Sequence, residues 1–126
     1  MHLIDVTKKS LDAVLGLNYG NLEVILVDNN SSDGSREFIE KHLSQSRSKA
    51  KVRYVKIKKN VGFAGAMNIA NEIRSSKSKY LALTHNDLIP KSDYIGKMVE
   101  FLESHLDVGA VQGIVVSMDD ESVVDS

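Results

Sequence analysis

Three clusters of polar side chains, each directly after an apolar run, are where this sequence could do chemistry. The first is Asp28-Asn29-Asn30-Ser31-Ser32-Asp33-Gly34-Ser35. A carboxylate at the tip of a strand, as Asp28 would be, can accept hydrogen bonds from ribose hydroxyls or from the imide N–H of a base. The Ser/Asp/Gly run behind it can open a helix whose free N–H groups favour anions. The plainer reading of residues 31–35 is an Asx-turn and a helix cap, and both readings stay open. The second cluster runs from Asn60 through Gly62 and Gly65 to Asn68. Its glycines would let the backbone approach a ligand, or let a helix pack close to a sheet. It has neither the G-x-G-x-x-G spacing of dinucleotide folds nor the Gly-Lys-Ser/Thr ending of a P-loop. The third is His85-Asn86-Asp87. Asp87 offers a hard oxygen ligand suited to Mg²⁺ or Mn²⁺, and such a metal would neutralise charge building on a diphosphate leaving group. A bare Asn-Asp turn ahead of Pro90 is the alternative.

The elements that must position these clusters are legible as alternating patterns. Leu22–Val27, Val52–Ile57, Tyr80–Thr84 and Val108–Val116 read as strands, the first as a β-branched run buried on both faces. The two glycines in the last suggest a bend or close packing. Helical spacing links Leu11, Val14, Leu15 and Leu17, then Phe38, Ile39 and Leu43, then Ala66, Ala70 and Ile73, then Ile95, Met98, Val99 and Leu102. The second helix is opened by Ser/Asp/Gly capping residues and the fourth by Ser92 or Asp93. Helix and strand in alternation predict an α/β fold with a mostly parallel sheet and helices on both faces. The three clusters would then converge on the carboxyl edge of the sheet, where ligands bind in such folds. The pattern opens on a helix rather than a strand, since only Met1 to Val6 precede it and His2-Leu3-Ile4 makes a weak strand.

Composition narrows the function classes. A chain of 126 residues with 42% apolar and 26% charged residues is an ordinary globular mixture, and its length suits one domain, residues 1–126. A net charge of −1 argues against nucleic acid as a default partner. Without cysteine there is no disulfide framework, thiol nucleophile or Cys-based zinc site. No apolar run approaches the ~18 residues of a membrane span, and the start lacks the features of a signal peptide, so a soluble intracellular domain is expected. The basic residues from Arg47 to Lys59 read as protection of an edge strand. His42 and His105 read as surface positions near helix ends, and Asp119-Asp120-Glu121 as a solvated turn.

The segment LxxxLxLxYxNLEVILVDNNSSDGSREFIE, followed by KNVGFAGAMN and then YLALTHNDLIP, resembles the nucleotide-sugar-dependent glycosyltransferases of family 2, which have the GT-A fold. The likeness runs from about Leu11 to Val116, with the motifs in order and at compatible spacing. It implies transfer of a sugar from a nucleoside diphosphate sugar to an acceptor hydroxyl, with inversion, the acceptor being a saccharide or a lipid-linked molecule. By the same resemblance Asp28 or Asn29 contacts the nucleobase, and Asn60, Gly62, Asn68 and Asn86 shape the donor site. His85 and Asp87 fall on the metal-binding D-x-D triplet, with His85 in place of its first carboxylate, so the implied cofactor is Mn²⁺ or Mg²⁺. Histidine suits Mn²⁺ better. Ala66 stands where many relatives carry glycine.

Relatives also begin with a strand that is absent or reduced to Met1–Val6 here, and they continue into an acceptor half that supplies the catalytic base. Asp119, Asp120 and Asp125 lie too early to be that base. The expectation is a donor-side portion clipped at both ends, weakly active or inactive alone, cytoplasmic, and reaching a membrane only through a partner. The alternative is a noncatalytic nucleotide-binding or interaction module of the same descent. A nucleic-acid-binding domain trails both, because no aromatic stacking platform accompanies the basic residues. In a GT-A strand order the absent strand would lie between residues 22–27 and 80–84. An empty slot there leaves backbone groups unpaired, at about 1–3 kcal/mol for each one buried. Residues 2–6 could fill it, the neighbours could close up, or a second copy could pair along the open edge; self-association is the expected outcome.

Overall fold

A computed structural model describes residues 3–124. The apolar run after Leu22 forms strand β1, Glu23–Asp28, and the mixed run after Ala50 forms β2, Lys51–Lys56. The two pair in parallel, in register from Glu23 opposite Lys51 to Asp28 opposite Lys56. Helix α1, Leu3–Leu15, precedes β1, and α2, Ser35–Gln45, makes the crossover that a parallel pair requires. Helices α3, Gly62–Ile73, and α4, Tyr94–Ser104, follow β2. The α/β class read from the sequence is therefore present, in a form compatible with part of a GT-A sheet.

The interior is small. Leu11, Val24, Ala66 and Ala70 are the deeply buried apolar side chains among the described residues. Ala66 and Ala70 lie one turn apart on the face of α3 that packs on β1. Their small side chains bring the helix axis close to the strand, a role that fits the alanine at position 66. Polar contacts fix the amino end of the sheet. Glu23 Oε1 lies 2.7 Å from Arg53 Nη2 and 3.8 Å from Lys51 Nζ, while Oε2 accepts a hydrogen bond from the Ser75 N–H at 2.9 Å. That N–H, ahead of the neighbouring cations, holds the Glu23 carboxyl below its ordinary pKa despite some desolvation. Arg53 also donates to the Ile73 carbonyl at 2.6 Å, so the carboxyl end of α3 is tied to both strands. Lys56 pairs with Glu40 of α2. The basic residues within β2 thus have carboxylate partners, as suits a strand guarding its edge.

Three expectations are corrected. Residues 80–84 form no strand: they run irregularly, with Leu81 51% and Leu83 56% exposed. Residues 108–116 are irregular too, apart from one antiparallel bridge between Val116 and Val124. Both segments have strand-like side chains, but a strand exists only where a neighbour takes up its N–H and C=O groups. Among the described residues, residues 80–84 have no such neighbour and residues 108–116 have one only at Val116. Close packing does occur at Gly113, where a Cβ would stand 2.6 Å from Tyr94 Cε2 and 3.0 Å from Met98 Cε on α4. Third, residues 3–6 belong to α1 and do not fill a sheet position, while Met1 and His2 lie outside the described residues. Residues 80–84 are largely exposed instead, and β1 has no strand on its outer edge among the described residues.

The helix–strand contact gives a direct test. Ala66→Leu should overpack the α3–β1 contact and cost about 1–3 kcal/mol in urea unfolding. Ala64→Leu, on the exposed side of the same helix, should stay within about 0.5 kcal/mol of the parent. Equal effects would place the packed face elsewhere.

Candidate functional site

Asp28 closes β1 with a side chain that is 0% exposed. Its Oδ1 accepts from the Ser31 N–H at 2.7 Å, and its Oδ2 from Arg36 Nε at 2.8 Å and the Tyr54 hydroxyl at 3.2 Å. Burial alone would raise the pKa, but the Ser31 N–H, Arg36 and Tyr54 outweigh it and bring it down to about 2. Burial, together with the Asp28 charge and hydrogen bond, pushes the Tyr54 phenol up to about 12. The chain returns to Asp28 through Asn30, which takes a left-handed φ of 67°. Asn tolerates that conformation better than most residues. Asp33 Oδ1 then accepts from the Ser35 N–H at 3.1 Å, and Gly34, at φ 85°, begins α2. The Asx-turn reading of residues 31–35 is therefore realised with Asp33 as the acceptor, while α2 begins from its cap residue Gly34 without a side-chain cap bond.

Asn29 faces the second cluster. Its Nδ2 donates to Asn60 Oδ1 at 3.0 Å and to the Gly62 carbonyl at 3.2 Å, and its Oδ1 accepts from the Val61 N–H at 2.9 Å. Asn60 Oδ1 also accepts from the Gly62 N–H at 2.9 Å. Gly62 has φ 74°, which a side chain would strain, and this turn launches α3. The tips of β1 and β2 are thus latched together at the carboxyl edge.

The third cluster sits on an irregular segment held by its side chains. The His85 ring stacks on Phe63, with centroids 4.1 Å apart and planes 8° from parallel. Asn86 Nδ2 donates to Thr7 Oγ1 at 3.2 Å, and the buried Ser10 donates through Oγ to the Leu88 carbonyl at 2.6 Å. Asp87 is exposed and makes no hydrogen bond or ion pair among the described residues. No group of three or more His, Cys, Asp or Glu side chains gathers among those residues. Mg²⁺ is often held by one or two carboxylates together with substrate phosphates. The Asp87 carboxylate, exposed and unengaged among the described residues, is the one group of this cluster with that chemistry.

The structure thus gathers Asn29, Asn60 and Gly62, and brings His85 against Phe63 beside them. Asp28 supports this edge from inside. Asn68 is exposed on α3, about 9 Å of helical rise beyond Gly62, and does not join the latch. Arg36, Tyr54, Phe63, Thr7 and Ser10 were not foreseen. Tyr54 had a signal in the register: it stands opposite Leu26, two residues before Asp28 and on the same face of β1. A shallow cavity of about 360 Å³ lies elsewhere, between α1 and α2, beside Asp12 and His42. There His42 Nε2 is 2.6 Å from Asp12 Oδ1, so this histidine joins two helices. His105 ends α4 with Nδ1 2.9 Å from the Phe101 carbonyl. Residues 119–121 form an exposed turn in which Asp120 Oδ1 accepts from Ser122.

The Asp28 network sets a pH dependence. A carboxyl whose folded pKa is lowered stabilises the fold above its unfolded pKa of about 3.8, and that stability is lost as pH falls through about 2. Parent and Asp28→Asn should therefore differ by on the order of 2 kcal/mol above pH ~4, and the gap should shrink toward pH ~2. Denaturant unfolding across that window measures it; a gap independent of pH would contradict the network.

The comparisons with known proteins agree with these motifs. The sequence profile of Glycosyl transferase family 2 matches residues 4–124. A Haemophilus influenzae protein described as "Uncharacterized glycosyltransferase" is 30% identical over 98 residues. That match covers 77% of this chain and 28% of the relative, so the chain spans little more than a quarter of the relative's length. No solved structure matches the chain. Nearly the whole of the described fold, including all three clusters, lies within the profile match, and the chain belongs to glycosyl transferase family 2.

Proposed function

We propose that this chain forms the donor side of a glycosyltransferase that moves a sugar, with inversion, from a nucleoside diphosphate sugar to an acceptor hydroxyl. The observation that carries this reading is the joining of the β1 and β2 tips through Asn29, Asn60 and Gly62, with the 85–88 segment docked beside them. Asn29 and Asn60 line the nucleoside side of the edge, and Asp28 holds their turn in place. Asn86 borders the diphosphate, and Asn68 meets the donor's outer part. Asp87 would hold a divalent cation, Mn²⁺ or Mg²⁺, together with diphosphate oxygens; when bound, that cation neutralises charge on the leaving group. The acceptor and the base that takes its proton belong to no cluster described above. Without an aligned base, transfer loses about 10²–10⁴ in rate, so the chain alone is a binder first. No helix among the described residues is long and apolar enough to cross a membrane.

Calorimetric titration with UDP and with GDP, each with and without Mn²⁺, tests the reading. Millimolar binding to one nucleotide, tightened by Mn²⁺, is expected, and Asp87→Asn should remove the tightening while leaving metal-free binding in place. Absence of heat in every combination would remove the donor site from this chain. Among the described residues β1 pairs along one edge only, and its other edge offers a template to a second copy. Light scattering at micromolar concentration should give the mass of a dimer; a monomer would show that the edge is protected.

A further inference from the structure

The geometry points to His85 as a positioning residue, whose ring stacks on Phe63 to hold the Asp87 carboxylate at the carboxyl edge, and not as a ligand of the metal. This inference rests on the donor-site reading for what Asp87 does, but its mechanical part stands on the fold alone. Residues 80–92 contain no strand or helix in the described structure. No ladder of backbone hydrogen bonds therefore fixes Asp87 relative to β1 and α3; apart from the Asn18 N–H donating to the Ser92 carbonyl at 2.8 Å, the anchors of the segment are side chains.

Ser10 and Thr7 of α1 grip the segment from one side, at the Leu88 carbonyl and the Asn86 side chain. Phe63, the second residue of α3, grips it from the other through the His85 ring. A centroid distance of 4.1 Å with nearly parallel planes is an offset stack of two flat rings in contact. The division of labour is clear along the segment. Residues 85, 86 and 88 are each engaged by a neighbouring helix, and Asp87 between them has no partner among the described residues. The group left uncommitted is the hard anionic oxygen donor that Mn²⁺ or Mg²⁺ and a diphosphate call for. What His85 supplies is a plane of the right size, and a phenyl ring supplies the same plane without ring nitrogens.

His85→Phe and His85→Ala separate the two roles. Hydrogen exchange across residues 84–92, with no ligand present, should be within about twofold of the parent in His85→Phe. In His85→Ala and in Phe63→Ala it should be faster by about tenfold or more. In titrations of UDP with Mn²⁺, His85→Phe should keep the metal-dependent tightening, and His85→Ala should lose most of it through the loosened segment. If His85 is a ligand, His85→Phe loses the tightening as fully as His85→Ala while exchange stays normal, and the inference is overturned. It is equally overturned if neither alanine variant changes exchange. Should the parent bind no nucleotide, the donor-site reading fails, and the exchange data still decide whether the stack holds the segment.

Discussion

Burying a carboxylate without partners costs several kcal/mol, and Asp28 is buried completely. Its three partners come from three places: Ser31 from the turn, Arg36 from the first turn of α2, and Tyr54 from β2. The carboxylate is satisfied only when β1, its turn, the crossover helix and the second strand are all in place. This makes the β1–α2–β2 unit cooperative in a way its few buried apolar side chains could not. The same constraint aims the site. Successive strand residues face opposite ways, so fixing Asp28 inward sends Asn29 toward the start of α3. The polar edge is thus a consequence of where one anion is stored.

Glu23 plays the matching part at the other end of β1. It meets Arg53, Lys51 and the Ser75 N–H, and so joins both strands to the end of α3. With one anchored carboxylate at each end, the register of a two-stranded sheet is held although its interior is thin. A slip by one residue would separate Glu23 from Arg53 and Asp28 from Tyr54 together, which makes the register specific. Ala66 and Ala70 then let α3 lie close on β1, and the first turn of α3 arrives where Asn29 can reach it.

Much of this was legible in the sequence, for physical reasons that differ by element. The run from Leu22 to Val27 is β-branched and nearly all apolar, a local signal that β1 obeys to within a residue. The four helical stripes are equally local and each meets a helix, although α1 starts at Leu3 and ends at Leu15, short of Leu17. Residues 80–84 and 108–116 carry a similar signal, but pairing is a property of two segments, and among the described residues only Val116 has a partner, in a single bridge. The latch was half legible, because the rule that ligands gather at strand tips named Asn29, Asn60 and Gly62 without saying how they touch. Arg36, Tyr54 and Phe63 were not legible, since their roles depend on helix phase and sheet register. These are fixed only once the fold exists.

The contrast between the two halves of the edge follows from how each is held. Asn29, Asn60 and Gly62 are joined by hydrogen bonds within turns that begin at strand ends, so their positions inherit the stiffness of the sheet. The segment with Asp87 inherits nothing comparable. It is suspended between α1 and α3 by one buried hydroxyl, one amide and one ring stack. A ring stack contributes about 0.5–1.5 kcal/mol, and an exposed one sits at the low end of that range. A contact of that size orders a short segment without locking it. On the proposed donor-site reading, the stiff side would meet the nucleoside and the soft side, residues 85–88, would adjust to the charged group.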